Sequence, residues 1–141
     1  MDDVEITDQH DDEVVAFLRD RIIAFNAATT GFDDGRSLTG LVKDEAGEIV
    51  AGLDGFTWGG YAKVEWLWVS EEHRGEGLGR RLMEAAEREA ASRGCHLVRV
   101  DTHTFQAPGF YEKLGYSVIG HAPGAPLGHA EVFFSKAVRA S

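Results

Sequence analysis

The sequence predicts one mixed α/β domain, and three observations carry that prediction. Apolar residues recur at helical spacing in two stretches, residues 11–26 and 78–90. Short apolar or alternating runs, bounded by glycine-containing turns, fall between and after them. A glycine-rich turn joins the most apolar of these runs, Ala62–Val69, to the second helical stretch. The 141 residues are enough for a single domain, 1–141, with a core of its own. No repeat, low-complexity segment or linker divides them.

Residues 3–7 suit a short first strand. The first helix follows, with Val14, Val15, Phe17, Leu18, Ile22 and Phe25 on its apolar face and Asp11, Asp12 and Glu13 at its N-terminus. Residues 27–36 have the composition of a loop. Strands are expected at 37–43 and 48–57, joined by Asp44-Glu45-Ala46-Gly47. Gly59-Gly60 makes the next turn. Ala62–Val69 is apolar on both faces apart from Lys63 and Glu65, the pattern of a central strand. In the second helix Leu78, Leu82, Ala85, Ala86 and Ala90 share one face, and Gly94 stops it. A buried strand over 96–102, a short helix opened by Pro108 and ended at Gly115, and strands at 116–121 and 130–138 complete the chain. The predicted order is βαβββαβαββ.

Composition narrows the function. Residues 1–60 hold 14 Asp/Glu against 4 Lys/Arg, whereas residues 61–141 hold 10 of each. Such a chain is a poor nucleic-acid ligand. Its acidic first half attracts cations, protonated amines among them. No apolar run reaches membrane-spanning length, and the N-terminus lacks a signal-peptide pattern, so no membrane partner and a cytoplasmic location are expected. The one cysteine, Cys95, reads as a packed small residue. The six histidines show no metal-ligand spacing, so no metal is expected.

The turn Arg74-Gly75-Glu76-Gly77-Leu78-Gly79 aims free backbone N–H groups at the positive end of a helix, the natural seat of a phosphate. It is not a P-loop, because no Gly-Lys pair occurs in the chain. Its glycines alternate, unlike the Gly-x-Gly-x-x-Gly of dinucleotide folds, and it lies mid-chain. Arg74-x-x-Gly77-x-Gly79 behind a strand resembles instead the pyrophosphate loop of the GNAT acetyltransferases, which bind acetyl-CoA. A second segment, Thr104–Tyr116, is similar to the C-terminal motif of that family: Ala107, then Tyr111 four positions on, then the pair Gly115-Tyr116. The two segments and what joins them cover residues 64–119.

The resemblance implies the GNAT fold, a central mixed but mostly antiparallel sheet flanked by helices. In it the strand Ala62–Val69 splays from its parallel neighbour 96–102, and the thioester sits in the gap. It implies acetyl-CoA as co-substrate, with backbone N–H groups of Arg74, Gly75, Gly77, Leu78, Gly79 and Arg80 around the pyrophosphate. Leu67, Trp68 and Val69 would meet the pantetheine arm and supply an oxyanion donor. The family's asparagine three positions before the motif alanine is replaced by Thr104, so Thr104 or Gln106 would take its place. Tyr111 matches the tyrosine that protonates the departing thiolate.

Glu65 is the candidate base, the lone acid on the central strand, placed by alternation on the face of Leu67 and Val69. Asp101 and His103 on the neighbouring strand are alternatives. Phe110 suits the core better than Tyr111, having no polar tip. Trp58, Trp66 and Trp68, with Phe32 and Phe56, are either core packing or an aromatic wall. The expected activity is N-acetylation of a small-molecule primary amine by direct attack in a ternary complex. A protein or peptide N-acetyltransferase and a non-catalytic acyl-CoA-binding module are the alternatives. The family leaves a homodimer open.

Overall fold

A computed structural model describes residues 3–139. The chain divides between Asp33 and Asp34 into two units. In the first, residues 3–7 form no strand, and helix α1 spans Asp12–Thr30. The Asp11 carboxylate caps it, accepting from Glu13 N (2.9 Å) and Val14 N (3.3 Å). The helix runs four residues past the expected Asn26, because Ala27 and Ala28 favour helix and the left-handed Gly31 (φ 80°) is the first real stop. None of its residues is buried.

The second unit is a six-stranded sheet: β1 (Arg36–Lys43), β2 (Ile49–Trp58), β3 (Tyr61–Val69), β4 (Leu97–His103), β5 (Ser117–Pro123) and β6 (Ala130–Ala137), in the order β1-β2-β3-β4-β6-β5. Every neighbouring pair is antiparallel except β3–β4. Helix α2 (Leu78–Ser92) lies between β3 and β4 in sequence, and α3 (Pro108–Lys113) between β4 and β5. The mixed, mostly antiparallel sheet agrees with the sequence expectation, with boundaries shifted by one or two residues.

Helix α2 packs on one face of β1–β4. Its Leu78, Leu82, Met83, Ala86 and Ala90 join the core cluster that holds Leu53, Val64, Val98 and Val100, and Ala91 is buried as well. Ala85, expected in this stripe, is exposed, and Met83 takes its place fully buried. The core lies a fraction of a turn to the side of the stripe that alanine spacing suggests. Cys95 is buried, as expected.

The parallel pair is short. β3 and β4 pair only from Tyr61↔Leu97 to Val64↔Val100, and beyond that the strands part. A bulge explains where this happens. Val64 pairs with Gly55 and Trp66 with Asp54, so Glu65 is an extra residue in β3. Burial parity changes across it: Ala62 and Val64 face the core before the bulge, whereas Leu67 and Val69 pack against it afterwards. Glu65 therefore does not share a face with Leu67 and Val69, as simple alternation had placed it. Trp66 and Trp68 fall on the open face, 72% and 52% exposed, and are not core residues.

Gly55 stands opposite the bulge, and a Cβ there would run into the Lys63 carbonyl. Gly55→Ala is expected to force the strands apart and destabilise the fold by about 2–4 kcal/mol. Urea unfolding would show this as a lower midpoint with an unchanged m-value.

Candidate active site

The parting of β3 from β4 opens a cavity of about 1120 Å³ through the sheet. Its walls include Glu65, Leu67, Trp68 and Val69 from β3, Arg74, Gly75, Gly77, Leu78, Gly79 and Arg80 from the loop and α2, and Gln106 and Tyr111. Every residue proposed from sequence lines it except Thr104. The Thr104 hydroxyl accepts from Ala130 N (3.1 Å) and its N–H donates to Ala130 O (2.9 Å), so it ties the end of β4 to the start of β6. Gln106 is the better placed of the two. Its Oε1 is held by His103 N (2.8 Å) and Thr102 Oγ1 (3.2 Å), which leaves Nε2 available to a ligand.

The glycine loop has the form of an anion cradle. Gly77 caps α2 in the left-handed region (φ 79°), and no side chain caps the helix. The first intrahelical bond is Arg81 N to Gly77 O (3.0 Å), so the N–H groups of Leu78, Gly79 and Arg80 have no helical acceptor. Arg74 N–H, expected in the same cradle, donates instead to Glu71 O (3.4 Å). The Arg74 guanidinium bonds Val69 O through Nε (3.3 Å) and so pins the loop to the end of β3. Gly79 is small for a different reason: a Cβ there would stand 3.2 Å from the Phe110 ring. That packing brings α3 against the start of α2.

Tyr111 projects from α3 into the core side of the cavity. It is 6% exposed, deeper than the partly buried Phe110 that apolarity alone favours for the core. Its ring is enclosed by Phe110, Tyr116 and Phe134, with centroids 5.0, 5.9 and 5.7 Å away. Its hydroxyl makes no hydrogen bond among the described residues. No fully buried side-chain polar atom among them lacks a partner, so this hydroxyl opens on the cavity. Burial, and after it the charge of Asp101, push the phenol up to about 12. Tyr116 differs, since its hydroxyl donates to Glu87 Oε2 (2.9 Å).

Asp101 and His103 also line the cavity, and Lys63 Nζ lies 3.9 Å from Asp101 Oδ1. A residue that sequence reasoning missed joins them. Glu131, at the start of β6, pairs across the ladder with His103 and so stands diagonal to Asp101. Its carboxyl is raised first by its interaction with the Asp101 carboxyl, then by burial and the Asp101 charge. Being the one acid on the closing strand was its only signal.

Three comparisons bear on this geometry. Residues 9–118 match the family model described as an acetyltransferase (GNAT) domain. An acetyltransferase of Agrobacterium fabrum is 35% identical over 115 residues, 82% of this chain and 84% of that protein. Blasticidin-S acetyltransferase of Streptomyces morookaense is 42% identical over 85 residues, 60% of this chain and 62% of that one. Among solved structures, an acetyltransferase from Bacillus cereus superposes with a TM-score of 0.81 at 28% identity, covering 95% of this chain and 98% of its own.

The buried phenol has a pH consequence. Below its ordinary value of 10, Tyr111 is protonated in both folded and unfolded chains and contributes no pH dependence. As pH rises from there toward 12, only the unfolded chain ionises, and up to about 2–3 kcal/mol of stability is lost. Tyr111→Phe is expected to lose less stability between about pH 9 and pH 11 than the parent protein. Urea midpoints at the two pH values measure the difference.

Proposed function

The chain belongs to the GNAT acetyltransferase family and is thereby an acetyl-CoA-dependent acyltransferase; from that premise we propose that it acetylates the primary amine of a small molecule by direct attack in a ternary complex. The observation that carries this reading is the buried Tyr111 hydroxyl, without a partner among the described residues and opening on the same cavity as the N–H groups of the glycine loop.

The N–H groups of Leu78, Gly79 and Arg80 hold the pyrophosphate. The open edge of β3 at Leu67, Trp68 and Val69 takes the pantetheine arm, and an N–H there faces the developing oxyanion. Gln106 supplies the polar contact that Thr104 cannot. The free amine adds to the thioester carbonyl carbon, the C–S bond breaks, the sulfur takes the Tyr111 proton, and the proton shed by the new amide nitrogen returns to the Tyr111 oxygen. A phenol held near 12 keeps that proton at neutral pH. Glu65, on the cavity wall at the bulge, takes the ammonium proton through water.

A small acceptor is supported by the likeness to blasticidin-S acetyltransferase, whose name states its acceptor. The assay is release of free thiol from acetyl-CoA across a panel of amines that includes blasticidin S. Tyr111→Phe is expected to lower kcat by about 10²-fold or more, with the acetyl-CoA KM little changed. Full turnover of that variant at saturating acceptor would remove Tyr111 from the role.

A further inference from the structure

One histidine in the cavity wall is held in a single chemical form. His103 ends β4 where the parted strands open the cavity, and it lines that cavity. Val98, Val100 and Thr102 of β4 are buried, so alternation turns the His103 side chain to the opposite face. A tight turn follows, closed by Gln106 N–H donating to His103 O (2.9 Å). The same turn brings the Gln106 amide back onto the end of β4. Its Oε1 accepts from His103 N (2.8 Å) and from the Thr102 hydroxyl (3.2 Å), and it lies 2.9 Å from His103 Nδ1.

Those contacts decide where the imidazole carries its hydrogen. A main-chain N–H only donates, so the Gln106 atom that meets it is the amide oxygen and not the nitrogen. An amide oxygen only accepts, so Nδ1 is the donor and bears the hydrogen. In the neutral ring the lone pair is then on Nε2. That atom has no partner among the described residues. Stacking on Phe105, with centroids 5.3 Å apart and planes at 16°, fixes the plane of the ring. His129 meets Phe105 in turn, 4.9 Å away and at 69°. Bracing the turn uses Nδ1 alone. The ring's remaining polar atom is a bare nitrogen beside the cavity.

We propose that His103 accepts the proton of the incoming amine through Nε2, with Gln106 as the positioning residue that keeps the hydrogen of the neutral ring on Nδ1. The inference rests on the small-amine reading of the site, and it gives the ammonium proton a second acceptor besides Glu65. The ammonium N–H bond breaks and an Nε2–H bond forms, directly or across one water; the amine keeps the electron pair with which it attacks. In the imidazolium Nδ1–H still donates to Oε1, and the charge strengthens that bond. Nε2–H then returns its proton to solvent before the next turnover. Imidazole suits the exchange because it is the side chain that takes up and releases protons near neutrality. Lys63 of β3, Arg99 and Asp101 of β4 and Glu131 of β6 stand on the same face of the sheet by alternation, and Glu65 borders the same cavity. With His129 they set the charge around the ring, so the test leaves all of them in place.

Heteronuclear NMR of the histidine ring nitrogens reads the tautomer in the free and the CoA-loaded protein, with His103→Gln assigning the signal by its loss. Nδ1 is expected to carry the hydrogen while Nε2 is bare, and Nε2 to gain the proton on acidification. Gln106→Leu should release the ring to a mixture of tautomers, whereas Gln106→Glu, which keeps an acceptor oxygen, should retain the single form. An Nε2–H tautomer in the parent protein, or an unchanged spectrum in Gln106→Leu, overturns the proposal. Thiol release from acetyl-CoA tests the role. With the panel amine that is turned over fastest, His103→Gln is expected to lower kcat by about tenfold or more at about pH 7. The loss should shrink toward about pH 9, where a larger share of the amine arrives without its proton. A loss of equal size at every pH, or no loss, removes His103 from proton transfer and leaves the small-amine reading intact. If the parent protein turns over no amine of the panel, that reading and the base role fall together, and the spectra alone decide whether Gln106 sets the tautomer.

Discussion

The site depends on one extra residue in one strand. Parallel pairing of β3 with β4 is favourable for four residues and then stops at Val64↔Val100. Insertion of Glu65 bends β3 at that point, and the strand still follows β2 as far as Ala51↔Val69. The bend can be accommodated because Gly55 lets β2 lie against the Lys63 carbonyl. The edge of β3 that faces β4 is left without a strand partner from Glu65 onward. In a closed sheet those main-chain groups would be consumed by the ladder. Here they are available, and the cavity exists.

The gap also separates two kinds of chemistry. On the α2 side the polar groups without a helical acceptor are backbone: the N–H groups at the start of α2, held in place by Arg74 against Val69 O and by the Gly79–Phe110 contact. On the opposite face they are side chains: Lys63, Asp101, His103 and Glu131. Tyr111 is the member of the core side whose polar end reaches the passage between them. Backbone N–H groups and ionisable side chains thus line one cavity from opposite faces of one sheet.

This division explains what was legible in the sequence. Backbone chemistry leaves a mark, because glycine is the residue that permits the left-handed turn at Gly77 and the close approach at Gly79. The helical and strand periods gave the elements of the second unit almost to their ends. Residues 3–7, by contrast, had a strand-like composition with no partner strand to pair with. The face of Glu65 was misplaced because alternation assumes a regular strand, and a bulge shifts every later residue by one. Thr104 and Gln106 could not be ranked from spacing, since the choice depends on Ala130, which is 26 residues away from Thr104 in sequence. Glu131 was invisible for the same reason: it acquires meaning only when β6 is laid beside β4.

The two tyrosines of the α3 region show how burial alone fails to define a role. Both are buried, both rings touch each other, and burial leads the rise of both phenols. The Tyr116 hydroxyl donates to Glu87, which also receives Lys136 Nζ at 2.8 Å, so Glu87 ties α2 both to the chain just before β5 and to β6. Tyr111 has no such bond, and desolvation without a partner is costly for a hydroxyl. The enclosing contacts of Phe110, Tyr116 and Phe134 hold its ring where that cost is incurred. A ligand that accepts from Oη recovers it. The phenol without a partner among the described residues is thus the one that opens on the cavity, and the satisfied one packs against it.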